Sequence, residues 1–479
     1  MSDTTPSCAI VWFREDLRLA DNPALCAAVD SGRPVLALYV HDEEAAGDWA
    51  PGGAKKWWLH QNLAALCERL NERGVQLVLR RGEARTVVQD LVEETAAGAV
   101  YWNRMYEPWA RERDAEIKAA LKEAGVEAAS FNGHLLREPW TVETKTGGPY
   151  KVYTPFWRAI GAESAEYELL DTPGEIGGWG GNAASENLDD WGFEPTKPDW
   201  AGGLRDTWTP GEAGARKRLD WFIENALSDY DEDRDFPGVD GTSMMSAYLH
   251  LGVISPRQIW MAISGRSGDG PSAFRGELGW REFSYHLLYH FPEFPDRNFQ
   301  RKFDDFPWRE DEDAFRAWTR GMTGYPIVDA GMRQLYEIGW MHNRVRMIVG
   351  SFLVKNLLLH WKRGEEWFWD TLVDADLASN SAGWQWVGGC GADAAPYFRI
   401  FNPITQGERF DKSGDYVRRW CPELKDLPDK FIQKPWEADA QTLERAGVEL
   451  GRTYPRRIVD HKETRERALA AFDQIKDAA

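Results

Sequence analysis

The chain has 479 residues, 43% of them hydrophobic and 28% charged, with a formal net charge of −20 at pH 7. That length predicts two or three domains with ample core, and the acidic balance excludes a surface that binds polyanions everywhere, so a nucleic-acid role needs a local basic patch. No run of 18 apolar residues and no signal peptide are present, and Cys8, Cys26, Cys67, Cys390 and Cys421 have no CxxC spacing, which together suit a cytoplasmic protein in a reducing compartment without a metal site.

Apolar runs at 8–13, 34–40, 75–80 and 99–103 predict buried strands. Amphipathic patterns at 22–30, 54–73, 84–97 and 109–124 predict helices between them. This alternation predicts a parallel sheet covered on both faces, a doubly wound α/β domain over 1–131, with its ligand crevice at the carboxyl ends of the strands. Neither GxGxxG nor a P-loop follows a strand. Residues 132–209 are rich in Gly, Trp, Asp and Pro and read as a long interdomain connector draped on the surface, with a helix at 150–160. From Thr209 the pattern is helical; Pro210 and Glu212 mark the first turn of an all-α domain over 210–479. Twenty-five tryptophans are unusually many, and composition singles out none of them.

The most informative stretch begins at Gly339. GWMHNRVRMIVGSFLVKNLLLHWKRG predicts one helix of about 24 residues, with Trp340, Asn343, Arg344 and Met347 on one face. Lys362 and Arg363 in its last turn and Gly364 after them form a stop signal. Arg344, Arg346, Lys355, Lys362 and Arg363 occur there without a single acid, which makes the stretch a local basic patch. Asp374, Asp376 and Asn380 then precede a Trp-Gln-Trp.

The motifs MHNRVRM, DADLASN, GWQW and PYFRIFNP, with WFREDLRLADNPAL near the start and GVELGRTYPRRIVDH near the end, resemble the DNA photolyases of the photolyase/cryptochrome family over nearly the whole chain. The resemblance is to the enzymes that repair cyclobutane pyrimidine dimers, and within them to the bacterial class III group. It implies light-driven repair of the dimer, with FAD active in its reduced anionic form in the helical domain. It implies damaged DNA as partner, and a monomer with no obligate protein partner. It also implies an antenna chromophore in the N-terminal domain, a reduced folate (methenyltetrahydrofolate) or alternatively a deazaflavin. Glu107 is a candidate polar contact to that antenna, or else an ordinary first-turn acid of the next helix.

The resemblance also implies roles for single residues. Tyr230, Thr242, Ser243, Met244, Met245 and Ser246 match contacts to the FAD phosphates and ribose, and hydroxyls at a helix N-terminus suit a pyrophosphate. Met244 and Met245 stand where relatives often carry Arg or Leu, so contacts there would run through the backbone. Trp280, Trp340, Asn343, Arg346, Asp374, Asp376 and Asn380 match further positions around FAD. Asn380 is expected to face the central ring, where a neutral amide can donate or accept a hydrogen bond and an Asp would repel the anion. Glu277, Trp280, Asn343, Arg344, Met347 and Trp386 match the lesion cavity, with flat apolar walls for the base faces and polar groups for their edges. Glu277 could donate to a dimer carbonyl only when protonated, a form that burial favours. Trp308, Trp361 and Trp384 match an electron relay, with Trp367 and Trp369 as alternates. Arg234, Arg281, Arg344 and Arg399 are expected on the DNA path, with Arg346 and Arg409 beside it. His342-Asn343-Arg344 lacks the second His of the (6-4) photoproduct enzymes. That activity and a cryptochrome-type receptor are the alternatives, the latter disfavoured by the complete lesion set and by the absence of a long extension after Val459-Asp460-His461.

Overall fold

The computed structural model describes residues 7–161, 166–394 and 398–476. Pro396 and Tyr397 of the PYFRIFNP motif lie outside the described residues. Five strands, β1 (Ala9–Phe13), β2 (Val35–His41), β3 (Leu77–Arg81), β4 (Ala99–Asn103) and β5 (Glu127–Phe131), form one parallel sheet in the order β3-β2-β1-β4-β5. Helices α1 (Pro23–Asp30), α2 (Gly53–Asn71), α3 (Ala84–Thr95) and α4 (Pro108–Glu123) alternate with them. Alternate residues of β1 face opposite layers: Ala9, Val11 and Phe13 pack in the layer of α1 and α2, and Ile10 and Trp12 in that of α3 and α4. Burial on both faces is why β1, β2 and β4 are continuous apolar runs. Sequence analysis missed β5, whose EAASF sits on the sheet edge and carries little apolar signal.

The connector does more than drape over the surface. Val35 bridges Gly178, Glu186 N donates to Leu79 O at 2.8 Å, and Leu79 N donates to Ser185 Oγ at 3.0 Å. It therefore satisfies β3, an edge strand that would otherwise present open backbone groups. Further along, α5 (Tyr153–Ile160) packs on the helical part.

The helices that matter for the site are α6 (Gly211–Asn225), α7 (Tyr230–Asp233), α8 (Ser246–His250), α9 (Asp269–His290), α10 (Pro326–Ile338), α11 (Asn343–Ser351), α12 (Trp361–Thr371), α13 (Leu377–Gly388) and α14 (Pro403–Phe410). The expected single helix from Gly339 to Gly364 is broken. After α11 the chain runs through a π-helical turn at Phe352–Asn356, then Leu358 takes a left-handed φ of 57°. His360 then caps a new helix, its Nδ1 accepting from Lys362 N at 3.1 Å. Lys362, Arg363 and Gly364 thus open α12 rather than close its predecessor. Lys355, in the π turn, is buried and donates through Nζ to Gly388 O at 2.7 Å, tying the break to the C-terminal end of α13.

The carboxyl ends of β1 and β4, the expected ligand crevice, are filled by the protein itself. Asn103 Nδ2 donates to Asp16 Oδ2 at 2.6 Å and to Asn22 Oδ1 at 2.8 Å. Leu17 N donates to Leu251 O at 3.1 Å and Arg18 Nη1 to Gly252 O at 2.8 Å. Gly252 has φ +60°, and a Cβ there would lie 2.1 Å from Glu15 O. Only glycine fits this approach between the sheet and the helical part.

Candidate flavin and lesion site

The loop 241–246 enters α8 with Met245, not a hydroxyl, at the N-cap. Thr242 and Ser243 lie ahead of the helix, and Met244 is left-handed at φ 56°. Arg218 of α6 pins the loop by donating through Nε to Ser243 O at 3.1 Å, and it pairs with Asp240 at 2.8 Å. Trp340 Nε1 donates to Ser246 Oγ at 3.2 Å, which joins the loop to the start of α11. Tyr230 of α7 is buried against Phe222 and Phe274. The hydroxyls of Thr242, Ser243 and Ser246, gathered on this pinned loop, are donors that fit a diphosphate.

Asp376 caps α13 by accepting from Ser379 N at 2.7 Å. Ser379 and Gly383, one turn apart on this half-buried helix, are exposed, and a Cβ on Gly383 would meet nothing within 4 Å. This open strip is a wall with room for a planar ring. Asn380 lies on the same part of the helix, its Nδ2 donating to Glu365 O at 3.0 Å. Glu365, which sequence analysis did not single out, is fully buried, and its carboxyl accepts from Ser381 Oγ at 2.6 Å. Burial pushes it up to about 8, against the pull of Lys362. Arg346 grips Asp374 at 2.8 and 3.0 Å and lies over the Trp340 ring. No sequence pattern marks Glu365; it is recognisable only through its place beside Asn380.

The lesion-side residues come from α9, α11 and α13; α9 and α11 each pack on α13. Trp280 is 37% exposed, and its ring lies flat on Tyr153 at 3.7 Å and 8°. Tyr153, which carried no signal in the sequence, reaches this position because its hydroxyl donates to Gly276 O at 2.8 Å. Glu277, three residues before Trp280, accepts from Arg234 Nη1 at 2.7 Å. Burial raises the Glu277 carboxyl and Arg234 opposes the rise. Asn343 is exposed, and Arg344, Met347 and Trp386 are partly buried. Arg344 pairs with Asp235 at 2.6 Å and lies over Phe410. His342, buried at the N-cap of α11, is pushed down to about 4 by burial and is neutral.

Arg281 does not belong to a DNA-facing path. Its side chain is 10% exposed, and it donates to His134 O at 2.9 Å, with His134 Nε2 at 2.7 Å and Glu282 at 3.5 Å. Arg399 and Arg409 are exposed and lie over Phe401 and Phe410. Glu107 is 5% exposed and turned into the junction with the helical part, where burial and then Glu15 push it up to about 8. It is not presented to an open surface where an antenna could reach it.

Of the three relay candidates, Trp308 and Trp361 both contact the ring of His360, at 5.0 and 5.4 Å between ring centres. Trp361 is fully buried and donates through Nε1 to Asn298 Oδ1 at 2.8 Å. Gly364, one turn further along α12, faces Trp384, and a Cβ there would come within 2.1 Å of that ring. Trp369 packs edge-on against Trp49 instead. Trp318, buried 6.1 Å from Trp384, is a neighbour that sequence analysis missed.

Comparison with known proteins agrees with this architecture. Residues 9–174 match the family model described as DNA photolyase, and residues 274–474 match that of the FAD binding domain of DNA photolyase. The chain is 55% identical over 98% of its length to a deoxyribodipyrimidine photo-lyase of Agrobacterium fabrum, of which it covers 98%. It superposes with a TM-score of 0.96 on the crystal structure of a bacterial class III photolyase from Agrobacterium tumefaciens, at 54% identity and covering 99% of each chain. It is also 38% identical to cryptochrome-1 of Arabidopsis thaliana, over 98% of this chain and 70% of that protein. A parallel sheet joined to a helical FAD-binding part, with this site between the helices, defines a flavin-dependent photoreceptor or repair protein. The chain belongs to the photolyase/cryptochrome family. Among the described residues no helix is long and apolar enough to cross a membrane, and no group of three or more His, Cys, Asp or Glu could hold a metal.

Proposed function

We propose that the protein is a deoxyribodipyrimidine photo-lyase that repairs cyclobutane pyrimidine dimers in DNA, with an α/β antenna domain over 1–131, a connector over 132–209 and a catalytic domain over 210–479. The observation that carries this reading is Trp280. It stands half-exposed on a buried helix with its plane fixed by Tyr153, a rigid wall for a base taken out of the stack. When bound, reduced FAD supplies light absorption and transfer of one electron to the dimer, with no net redox change.

The chain's own residues prepare that chemistry. Trp280 and Trp386 offer flat faces to the pyrimidines, and Asn343 and Glu277 meet their polar edges. Glu277 donates to a dimer carbonyl in its protonated form, which burial favours. Asn380, held by the Glu365 carbonyl, presents its amide without charge. Arg346 and Asp374 neutralise each other. Trp308, Trp361 and Trp384 bring electrons from the surface before the repair cycle. Arg344 and Arg399 meet the DNA backbone. An antenna, with reduced folate favoured over a deazaflavin, belongs to the N-terminal domain; mass spectrometry of the extracted chromophores identifies it, and FAD alone would remove it.

The test of the repair reading is light. FAD-loaded, chemically reduced protein should restore a dimer-containing oligonucleotide under near-UV or blue light and not in the dark. Dimer DNA that is bound but left intact under light would replace the repair enzyme with a receptor.

A further inference from the structure

The turn between α7 and the loop 241–246 carries two exposed apolar side chains that the repair chemistry above does not use. Phe236 is 38% exposed and Val239 is 48% exposed. The backbone under them is fixed. Phe236 N donates to Asp233 O at 3.0 Å and Val239 N to Phe236 O at 3.1 Å, and Pro237 between them is buried. A Cβ on Gly241 would lie 2.7 Å from Asp233 Cβ, so the two ends of the turn are packed together. Phe236 is therefore held outwards by a closed turn.

This turn stands at the mouth of the lesion site. The residues just before Phe236 pair with lesion-side residues: Arg234 with Glu277 at 2.7 Å and Asp235 with Arg344 at 2.6 Å. The Phe236 ring meets the buried ring of Phe410, at the end of α14, with centres 6.2 Å apart and planes at 63°. The guanidinium groups of Arg344 and Arg409 lie over that same Phe410 ring, at 4.5 and 4.9 Å. An apolar edge thus adjoins the arginines of the DNA side. The turn has nothing of its own for a phosphate. From Asp235 to Gly241 it holds two acids and no cation, and the acids are paired, Asp235 with Arg344 and Asp240 with Arg218 at 2.8 Å. What it offers is an aromatic ring and a valine, which fit uncharged bases.

A duplex that gives up a dimer is left with a gap. The bases opposite lose their partners and part of their stacking, at a cost the protein has to offset. Phenylalanine is among the residues that enter such gaps as apolar wedges. A single strand has no opposite bases and leaves such a wedge without a partner. We propose that Phe236, with Val239 beside it, packs against the bases left unpaired opposite a flipped-out dimer and so holds the flipped state open in duplex DNA. This rests on the lesion placement proposed above.

The test is binding of the FAD-loaded full chain to a dimer-containing oligonucleotide, offered as a duplex and as a single strand at one salt concentration. Phe236→Ala should weaken the duplex about tenfold and the single strand by no more than about twofold. Phe236→Leu, which stays apolar, should recover part of the loss. The penalty of Phe236→Ala should also shrink to about twofold when the bases opposite the dimer are replaced by abasic residues, because the partner of the ring is then gone. Should Phe236→Ala fail to load FAD, Phe236→Gln carries the same comparison. Equal losses on both DNA forms, no loss on either, or a penalty that persists against the abasic strand overturns the proposal and leaves the repair reading intact. A wild-type protein that does not distinguish dimer DNA from undamaged DNA overturns both.

Discussion

Arg234 Nη1 stands 2.7 Å from Glu277 Oε1. In the protein without DNA, the carboxyl proposed to meet a lesion is therefore already engaged by an arginine at the mouth of the same site. Burial raises Glu277 and Arg234 opposes it. Repair that needs the protonated carboxyl fails as pH rises through its pKa. Arg234→Gln removes the opposition, so the alkaline limb of the repair profile should move up by about 1 pH unit. A limb that stays in place would show that the protonation state of Glu277 does not control the reaction.

Gly364→Ala tests the packing between Trp361 and Trp384. The new methyl would sit 2.1 Å from the Trp384 ring, which has to move. A loss of about 1–3 kcal/mol of stability is expected in denaturant unfolding. Photoreduction of oxidised FAD should slow, as it should in Trp361→Phe or Trp384→Phe. Repair by chemically reduced protein should survive in all three, because the relay works before the repair cycle. Native photoreduction in Trp384→Phe would send the electrons by another route, with Trp318 the nearest ring.

Two arginines should separate DNA contact from fold. Arg399→Ala should weaken damaged and undamaged DNA alike and lower the salt slope of binding by about 1. Arg281→Ala should leave that slope unchanged. It should instead cost about 1–3 kcal/mol of stability, since the His134 carbonyl would lose its donor. A salt slope that falls in Arg281→Ala would return that residue to the DNA path.

Glu365 makes a thermal prediction. Its folded-state pKa of about 8 lies above the ordinary value of 4.5. The folded protein therefore holds this proton where the unfolded chain has lost it. The contribution is complete below about pH 4.5 and is lost as pH rises through about 8. Glu365→Gln cannot ionise, so its Tm should fall less between pH 5 and pH 9 than that of wild type, by ~3 °C or more. Glu107 has the same sign and remains in both proteins, so some decline persists. Parallel Tm curves would mean that Glu365 is already ionised in the fold.

Periodicity located β1 to β4 and α1 to α4 because continuous apolar runs are what double burial requires. It missed β5, where an edge strand needs only modest burial. It also ran α11 and α12 together. The apolar stripe continues through the break, and the stop is made by a left-handed Leu358 and a His360 cap, neither of which has a strong sequence signature. Motif matching brought Trp280, Glu277, Asn343 and Asn380 onto helices that pack together. It placed Arg281 on the surface because an arginine beside a lesion residue gives no sign of which way it points along a helix. Tyr153 and Glu365 were invisible for the opposite reason: their importance comes from partners 127 and 15 residues away.

The interruption between α11 and α12 also affects register. In one continuous helix, a single inserted residue would turn everything beyond it by about 100°. A π turn is the form a helix takes when it has absorbed such a residue, and the His360 cap then starts the count afresh. Arg344 and Met347 on one side, and Trp361 and Gly364 on the other, are therefore not phased by a shared helical screw. Each set is oriented by its own neighbours, so the face turned towards the lesion and the face turned towards the electron path can be altered independently.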